Sequence, residues 1–181
     1  MMSPGRRAIF LDRDGTLMEN VDYCGDPARV RVFPGVPRAL ERLRAAGYGL
    51  YMVTNQSGIG RGYFTEEDFE RVQAECARQL LPASLDGAYH CPDAPERATG
   101  RRKPAAGMIL EAVADHGIAP THSYMVGDSV VDIECGRRAG VRGTVLIATG
   151  HVGAPPMNGQ PDHIAADFAA AADWILAQPL L

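Results

Sequence analysis

The stretch AIFLDRDGT, residues 8–16, decides the fold. Four apolar residues stop abruptly at two aspartates, an arginine and a glycine, which reads as a buried strand running into a loop. GLYMVTN (49–55) is a second such run and ends in threonine and asparagine; SYMVGD (123–128) is another and ends in an aspartate. LDGAYHC (85–91) and GTVLIATG (143–150) are further candidate strands.

Helical patterns lie between them. Val36, Leu40 and Leu43 recur at helical spacing before Gly47, a candidate C-terminal cap. Thr65 with Asp68 three residues on forms a capping box, and Phe69, Val72, Cys76 and Leu80 then mark one apolar face. Helices are also expected over 105–116, over 129–140 and from about Asp167 onward; 18–32 reads as irregular loop. Strands alternating with helices through short connections predict an α/β fold, a Rossmann-like parallel sheet flanked by helices. The intervals 17–53 and 55–102 are largely filled by core elements, so one domain over 1–181 is expected, with no independent cap domain. Loops 18–32, 56–64 and 90–102 are left to shape the entrance.

Composition narrows the function. The chain has 181 residues, 46% of them hydrophobic, and a net charge of −4, which disfavours a nucleic-acid partner. Four scattered cysteines form no CxxC pair, and the N-terminal apolar run is four residues long. A reduced, cytoplasmic setting is expected, without signal peptide, membrane span or membrane partner.

In open parallel sheets ligands sit beyond the carboxyl ends of the strands. Asp12, Asp14, Thr54, Asn55 and Asp128 all fall there. Asp and Gly are ordinary turn residues, and Asp128 alone could simply cap a helix. Three acidic strand ends together repel one another unless a cation lies between them. Asp12, Asp128 and the backbone near Asp14 offer oxygen ligands suited to Mg2+, which also accepts substrate phosphate oxygens. Asp132 lies one helical turn after Asp128. Thr54 and Asn55 offer donors to a phosphate, the glycines of QSGIGRG (56–62) let backbone N–H groups approach it, and Lys103 could set an ammonium beside it.

DRDGT at 12–16, Thr54, Lys103 and GDSVVD at 127–132 together resemble the four motifs of the haloacid dehalogenase (HAD) superfamily of phosphohydrolases, over roughly residues 8–150. DRDGTL, VTNQSGIGRG and RKP are similar to the D-glycero-D-manno-heptose-1,7-bisphosphate 7-phosphatases; the related histidinol-phosphate phosphatases are the alternative. The resemblance implies a Mg2+-dependent phosphomonoesterase acting on a small phosphorylated metabolite. It makes Asp12 the nucleophile, Asp14 the acid and base, and Thr54 and Lys103 the phosphate ligands. Asp12, Asp14 and Asp128 would hold the metal, with Asp132 orienting Lys103. Arg102 would contact the distal part of the substrate, and Asn20, Tyr23, Asn55, Gln56 and Ser57 complete the expected contacts. Ser129 departs from the basic residue usual in these relatives. A non-catalytic scaffold would normally have lost the nucleophile or the lysine, and both are present.

Such relatives often carry a structural zinc in the third loop, bound by a Cys-x-His and a later Cys-x-Cys pair. Here Cys91 remains, Asp93 stands where the histidine would be, and no cysteine follows before Arg102. Four N/S ligands cannot be assembled locally, so zinc is expected to be absent. The loop would then be held by Pro92, Pro95 and packing, with Cys91 as a small buried residue.

Overall fold

The computed structural model describes residues 5–148 and 160–179. β1 (Ala8–Leu11), β2 (Gly49–Asn55), β3 (Gly87–Cys91), β4 (Tyr124–Gly127), β5 (Gly143–Ile147) and β6 (His163–Ala165) form one parallel sheet. Its order is β3-β2-β1-β4-β5-β6. The chain builds outward from β1 to β3, then crosses back to place β4 on the other side of β1. That reversal between β1 and β4 opens the crevice in which such sheets bind ligands.

The unbroken apolar strands are explained by burial on both faces. Ile9 and Leu11 face a core shared with α1 (Val36–Ala45), α3 (Glu66–Leu80) and α6 (Phe168–Leu176), through Leu40, Leu43, Val72, Leu80 and Ile175. Ala8 and Phe10 face the opposite core, built with α4 (Gly107–His116) and α5 (Val130–Arg138) through Met108, Ile109, Ala112 and Cys135. Each fully buried Leu, Ile or Phe contributes about 1.5–3 kcal/mol, against about 1 kcal/mol for a helix cap. The sheet therefore fixes the geometry of the strand ends, and the caps trim the helices.

The capping box at Thr65 forms as its spacing predicts: Asp68 N donates to Thr65 Oγ1 at 3.1 Å, and Thr65 N to Asp68 Oδ2 at 2.8 Å. Phe69, Val72, Cys76 and Leu80 are the buried face of α3. The helix expected from Ala105 begins at Gly107 and closes on Gly117 in the left-handed region, φ 64°. β5 ends at Ile147; Thr149 and Gly150, read as part of that strand, lie outside the described residues.

Two features differ from the sequence reading. β6 is a three-residue edge strand with Ile164 exposed, too short to show a period. Loop 18–32 is not wholly irregular: Met18 bridges Val32, and Gln79 of α3 ties the loop down by donating to Val30 O and accepting from Val32 N, both at 3.0 Å. That tether holds one wall of the crevice against the core.

Candidate active site

The site begins with the β1–β4 ladder. Asp12 N donates to Val126 O at 3.0 Å, which carries the pairing one residue past β1 and sets Asp12 beside the end of β4. Gly15, at φ 82°, turns the chain; a Cβ there would lie 2.0 Å from Asp128 Oδ2, so the Asp128 carboxylate needs this glycine. Carboxylate oxygens of Asp12, Asp128 and Asp132 lie within 4.8 Å of one another.

Lys103, 3% exposed, fills the middle of this cluster. Its Nζ donates to Asp12 Oδ1 at 2.6 Å and to Val53 O at 2.9 Å, and forms an ion pair with Asp132 Oδ1 at 2.7 Å. Asn55 aligns the lysine from behind: its amide donates to Lys103 O and accepts from Lys103 N, both at 3.0 Å. Asp132 Oδ2 in turn accepts from Ser129 N at 3.1 Å and Ser129 Oγ at 2.8 Å, so Ser129 caps α5 and fixes the partner of the lysine.

The electrostatics follow from burial. Desolvation raises Asp12 to about 8; Lys103 opposes this, while Asp132, Asp14 and Asp128 add to it. Asp128 is raised to about 6, again first by burial and then by Asp132. For Lys103 burial alone would lower the pKa, but Asp12 and Asp132 outweigh it and hold it raised.

Hard oxygen donors converging around one lysine, with more negative charge than the lysine balances, fit a divalent cation such as Mg2+. Asp132 is committed to Lys103 and Ser129, which leaves Asp12 and Asp128 as the carboxylates to hold it. The carboxylate of Asp14 is not in this cluster. It is turned to Arg13 and Gln56, which fits the expectation that the main chain near Asp14 offers the oxygen ligand. A measurable consequence concerns pH. With folded pKa values raised from 3.8 to about 8 and about 6, these two groups contribute stability that is present below the unfolded value and lost as pH rises through the folded ones. A Mg2+ ion held by the ionised pair would offset that loss. The rise in Tm on replacing EDTA by Mg2+ should thus be larger at about pH 8.5 than at about pH 5.5; an equal or smaller rise at the higher pH would contradict the site.

Asp14 is held from two sides. Arg13 Nη2 reaches Asp14 Oδ2 at 3.0 Å and Oδ1 at 3.2 Å, with Nε also 3.2 Å from Oδ1. Gln56 Nε2 donates at 2.9 Å to both Asp14 Oδ2 and Thr54 Oγ1. Neither arrangement is legible in the sequence: Gln56, an expected substrate contact, also links two expected site residues, and Arg13 has no role in the sequence reading.

A cavity of ≈ 380 Å³ opens beside Asp14. Asn20, Tyr23, Asn55, Gln56 and Ser57, the expected substrate contacts, line it together with Phe64. Arg102 does not line it; its Nη1 donates to Asp93 O at 2.7 Å, on the loop after β3. The glycines after β2 also change meaning. Residues Ser57–Gly60 form a short helix, α2, in which a Cβ on Gly58 would lie 2.1 Å from the Phe64 ring and one on Gly60 2.4 Å from Pro92 O. Their bareness serves close packing of the cavity wall.

Loop 91–99 is closed by Asp93, whose Oδ2 accepts from Thr99 Oγ1 at 2.6 Å and Thr99 N at 2.9 Å. Cys91 is buried, as are the other three cysteines, all of them free.

A parallel sheet with acidic groups at two adjacent strand ends and a buried lysine between them defines the class of HAD-type phosphohydrolases. Residues 100–171 match the HAD-hydrolase-like family model. The chain is 42% identical over 155 residues to the D-glycero-beta-D-manno-heptose-1,7-bisphosphate 7-phosphatase of Haemophilus ducreyi, covering 81% of this chain and 85% of that one. It is 38% identical over 189 residues to the D-glycero-D-manno-heptose-1,7-bisphosphate 7-phosphatase of Thermosynechococcus vestitus, covering 94% and 95%. The crystal structure of D,D-heptose 1,7-bisphosphate phosphatase from B. bronchiseptica, complexed with magnesium and phosphate, superposes with a TM-score of 0.82 at 27% identity, over 94% of this chain and 98% of that one. The chain belongs to this phosphatase family of the HAD superfamily and is a phosphoric monoester hydrolase.

Proposed function

We propose that the protein removes the 7-phosphate of D-glycero-D-manno-heptose 1,7-bisphosphate through an aspartyl-phosphate on Asp12, the whole chain working as one phosphatase domain. The observation that carries the chemistry is the 2.6 Å pair of Lys103 with Asp12, at the crevice where β1 meets β4. The substrate is suggested by the names of relatives that match over most of their length.

In the first step an Asp12 oxygen attacks phosphorus as the bond from phosphorus to the sugar oxygen breaks, and Asp14 gives that oxygen a proton. In the second step water attacks the same phosphorus, Asp14 takes its proton, and inorganic phosphate leaves as the Asp12 carboxylate is restored. Thr54 and Lys103 donate to the phosphoryl oxygens, while Asn20, Tyr23 and Ser57 line the cavity that takes the sugar. Mg2+, held by Asp12, Asp128 and the main chain at Asp14, would supply further positive charge against those oxygens.

The setting is taken as cytoplasmic: no helix among the described residues is long and apolar enough to cross a membrane, and the four cysteines are free and buried. No zinc is assigned to the loop after β3, where the Asp93–Thr99 clasp closes the chain as a metal staple would.

The deciding experiment compares kcat/KM, with Mg2+, on heptose 1,7-bisphosphate, histidinol phosphate and p-nitrophenyl phosphate. The bisphosphate should lead by about 10²-fold or more, since a site built to pair a second polar group rejects substrates that lack it. A lead by histidinol phosphate would overturn the substrate, and hydrolysis of none of the three would favour a scaffold.

A further inference from the structure

Arg13 lies between the two aspartates of the DRDGT turn and is wholly buried, at 0% exposure. An arginine is rarely placed so deep, because removing a guanidinium from water is costly unless every donor is matched. Here the match is incomplete. Nε and Nη2 grip the Asp14 carboxylate, and the guanidinium carbon stands 5.4 Å from the centroid of the Phe69 ring on α3. Nη1 is buried with no hydrogen-bond partner among the described residues. An apolar side chain of similar length would fill the space without that penalty, and replacing buried ion pairs in this way is often neutral or stabilising. Stability therefore does not account for the arginine.

What arginine provides and a hydrocarbon does not is a planar fork that fixes a carboxylate at two points. The Phe69 ring limits the freedom of the fork itself. Gln56 fixes the second oxygen of Asp14, while the carboxylate keeps 22% of its surface and lines the cavity. We propose that Arg13 is a positioning residue: clamped against Phe69, it aims the Asp14 carboxylate at the oxygen that leaves with the sugar. The inference rests on Asp14 being the proton donor. It concerns orientation, so a lysine, which keeps the charge but lacks the fork, should not replace Arg13.

The test exploits the leaving group. A sugar alkoxide must be protonated as it departs, whereas p-nitrophenolate departs without a proton. Arg13→Met, Arg13→Lys and Asp14→Asn are compared in single-turnover and burst experiments with Mg2+, on a sugar phosphate and on p-nitrophenyl phosphate. For Arg13→Met the single-turnover rate on the sugar phosphate should fall by about 10²-fold, the usual cost of misplacing a general acid by about 1 Å. The first-turnover burst of p-nitrophenolate should stay within a few fold of the parent, KM should hardly move, and Tm should be unchanged or higher. Arg13→Lys should show the same split between substrates, which keeps the test open if the methionine variant does not fold.

Equal losses on both substrates, or full activity in Arg13→Lys, would overturn the inference. Asp14→Asn separates the two levels. If it shows no leaving-group split, the proton-donor reading fails and this inference with it. If Asp14→Asn shows the split and the Arg13 variants do not, the positioning role alone fails.

Discussion

Asp12→Asn is expected to abolish turnover, by a factor on the order of 10⁴–10⁶, while the protein stays folded. Asparagine has nearly the shape of aspartate and retains an oxygen that can accept from Lys103, but its amide cannot form the acyl-phosphate bond. The fold should tolerate the change because the Asp12 charge is already unfavourable where it stands. Burial raises its pKa to about 8, and Asp132, Asp14 and Asp128 add repulsion that Lys103 only partly offsets. Neutralising it relieves that repulsion and weakens one of the two ammonium hydrogen bonds, so the two effects should nearly cancel, to within about 1 kcal/mol. Steady-state phosphate release and a thermal melt, run with and without Mg2+, measure both halves. Phosphate release at a rate comparable to the parent would remove Asp12 as nucleophile.

The legible and illegible parts of this protein divide by a physical criterion. β1, β2 and β4 could be read because strands buried on both faces stay apolar until their carboxyl ends, where β2 turns polar at its last two residues, so the first polar residue marks the crevice. That single rule located Asp12, Thr54 and Asp128. Lys103 lies on a loop with no periodic pattern, so the sequence offers its ammonium to a phosphate without showing what else it meets; the structure brings it to Asp12. What could not be read depends on which way a side chain turns inside a tight turn. Arg13 looks like one more charged loop residue until the turn folds it inward against Phe69. Gln56 and Asn55 face the cavity by sequence position, yet their amides bind Asp14, Thr54 and the Lys103 backbone. The glycines of α2 suggested backbone open to an anion, and are instead the points where Phe64 and Pro92 approach the chain.

Lys103 is where the fold and the chemistry depend on one charge. Lys103→Met should cost about 3–5 kcal/mol of stability, because it strands two buried carboxylates, Asp12 and Asp132, without their shared cation. For a chain of this length that corresponds to a fall in Tm of roughly 6–20 °C, readable in a thermal melt or urea titration. The loss should be smaller at low pH, where the raised pKa of Asp12 lets it take up a proton. Asp132→Asn in the same chain should recover part of it by removing one stranded charge, a coupling that a double-mutant cycle isolates. A Lys103→Met protein as stable as its parent, at a pH above the Asp12 pKa, would refute the idea that the ammonium holds the cluster together. Activity supplies the second half of the argument. A lysine needed only for folding would leave the surviving folded molecules active, and one needed only for phosphate would leave stability untouched. The hydrogen bonds of Nζ to Asp12 and Val53 O and its ion pair with Asp132 predict that both fall together, because the charge that will meet the phosphate is the charge that lets the nucleophile be buried.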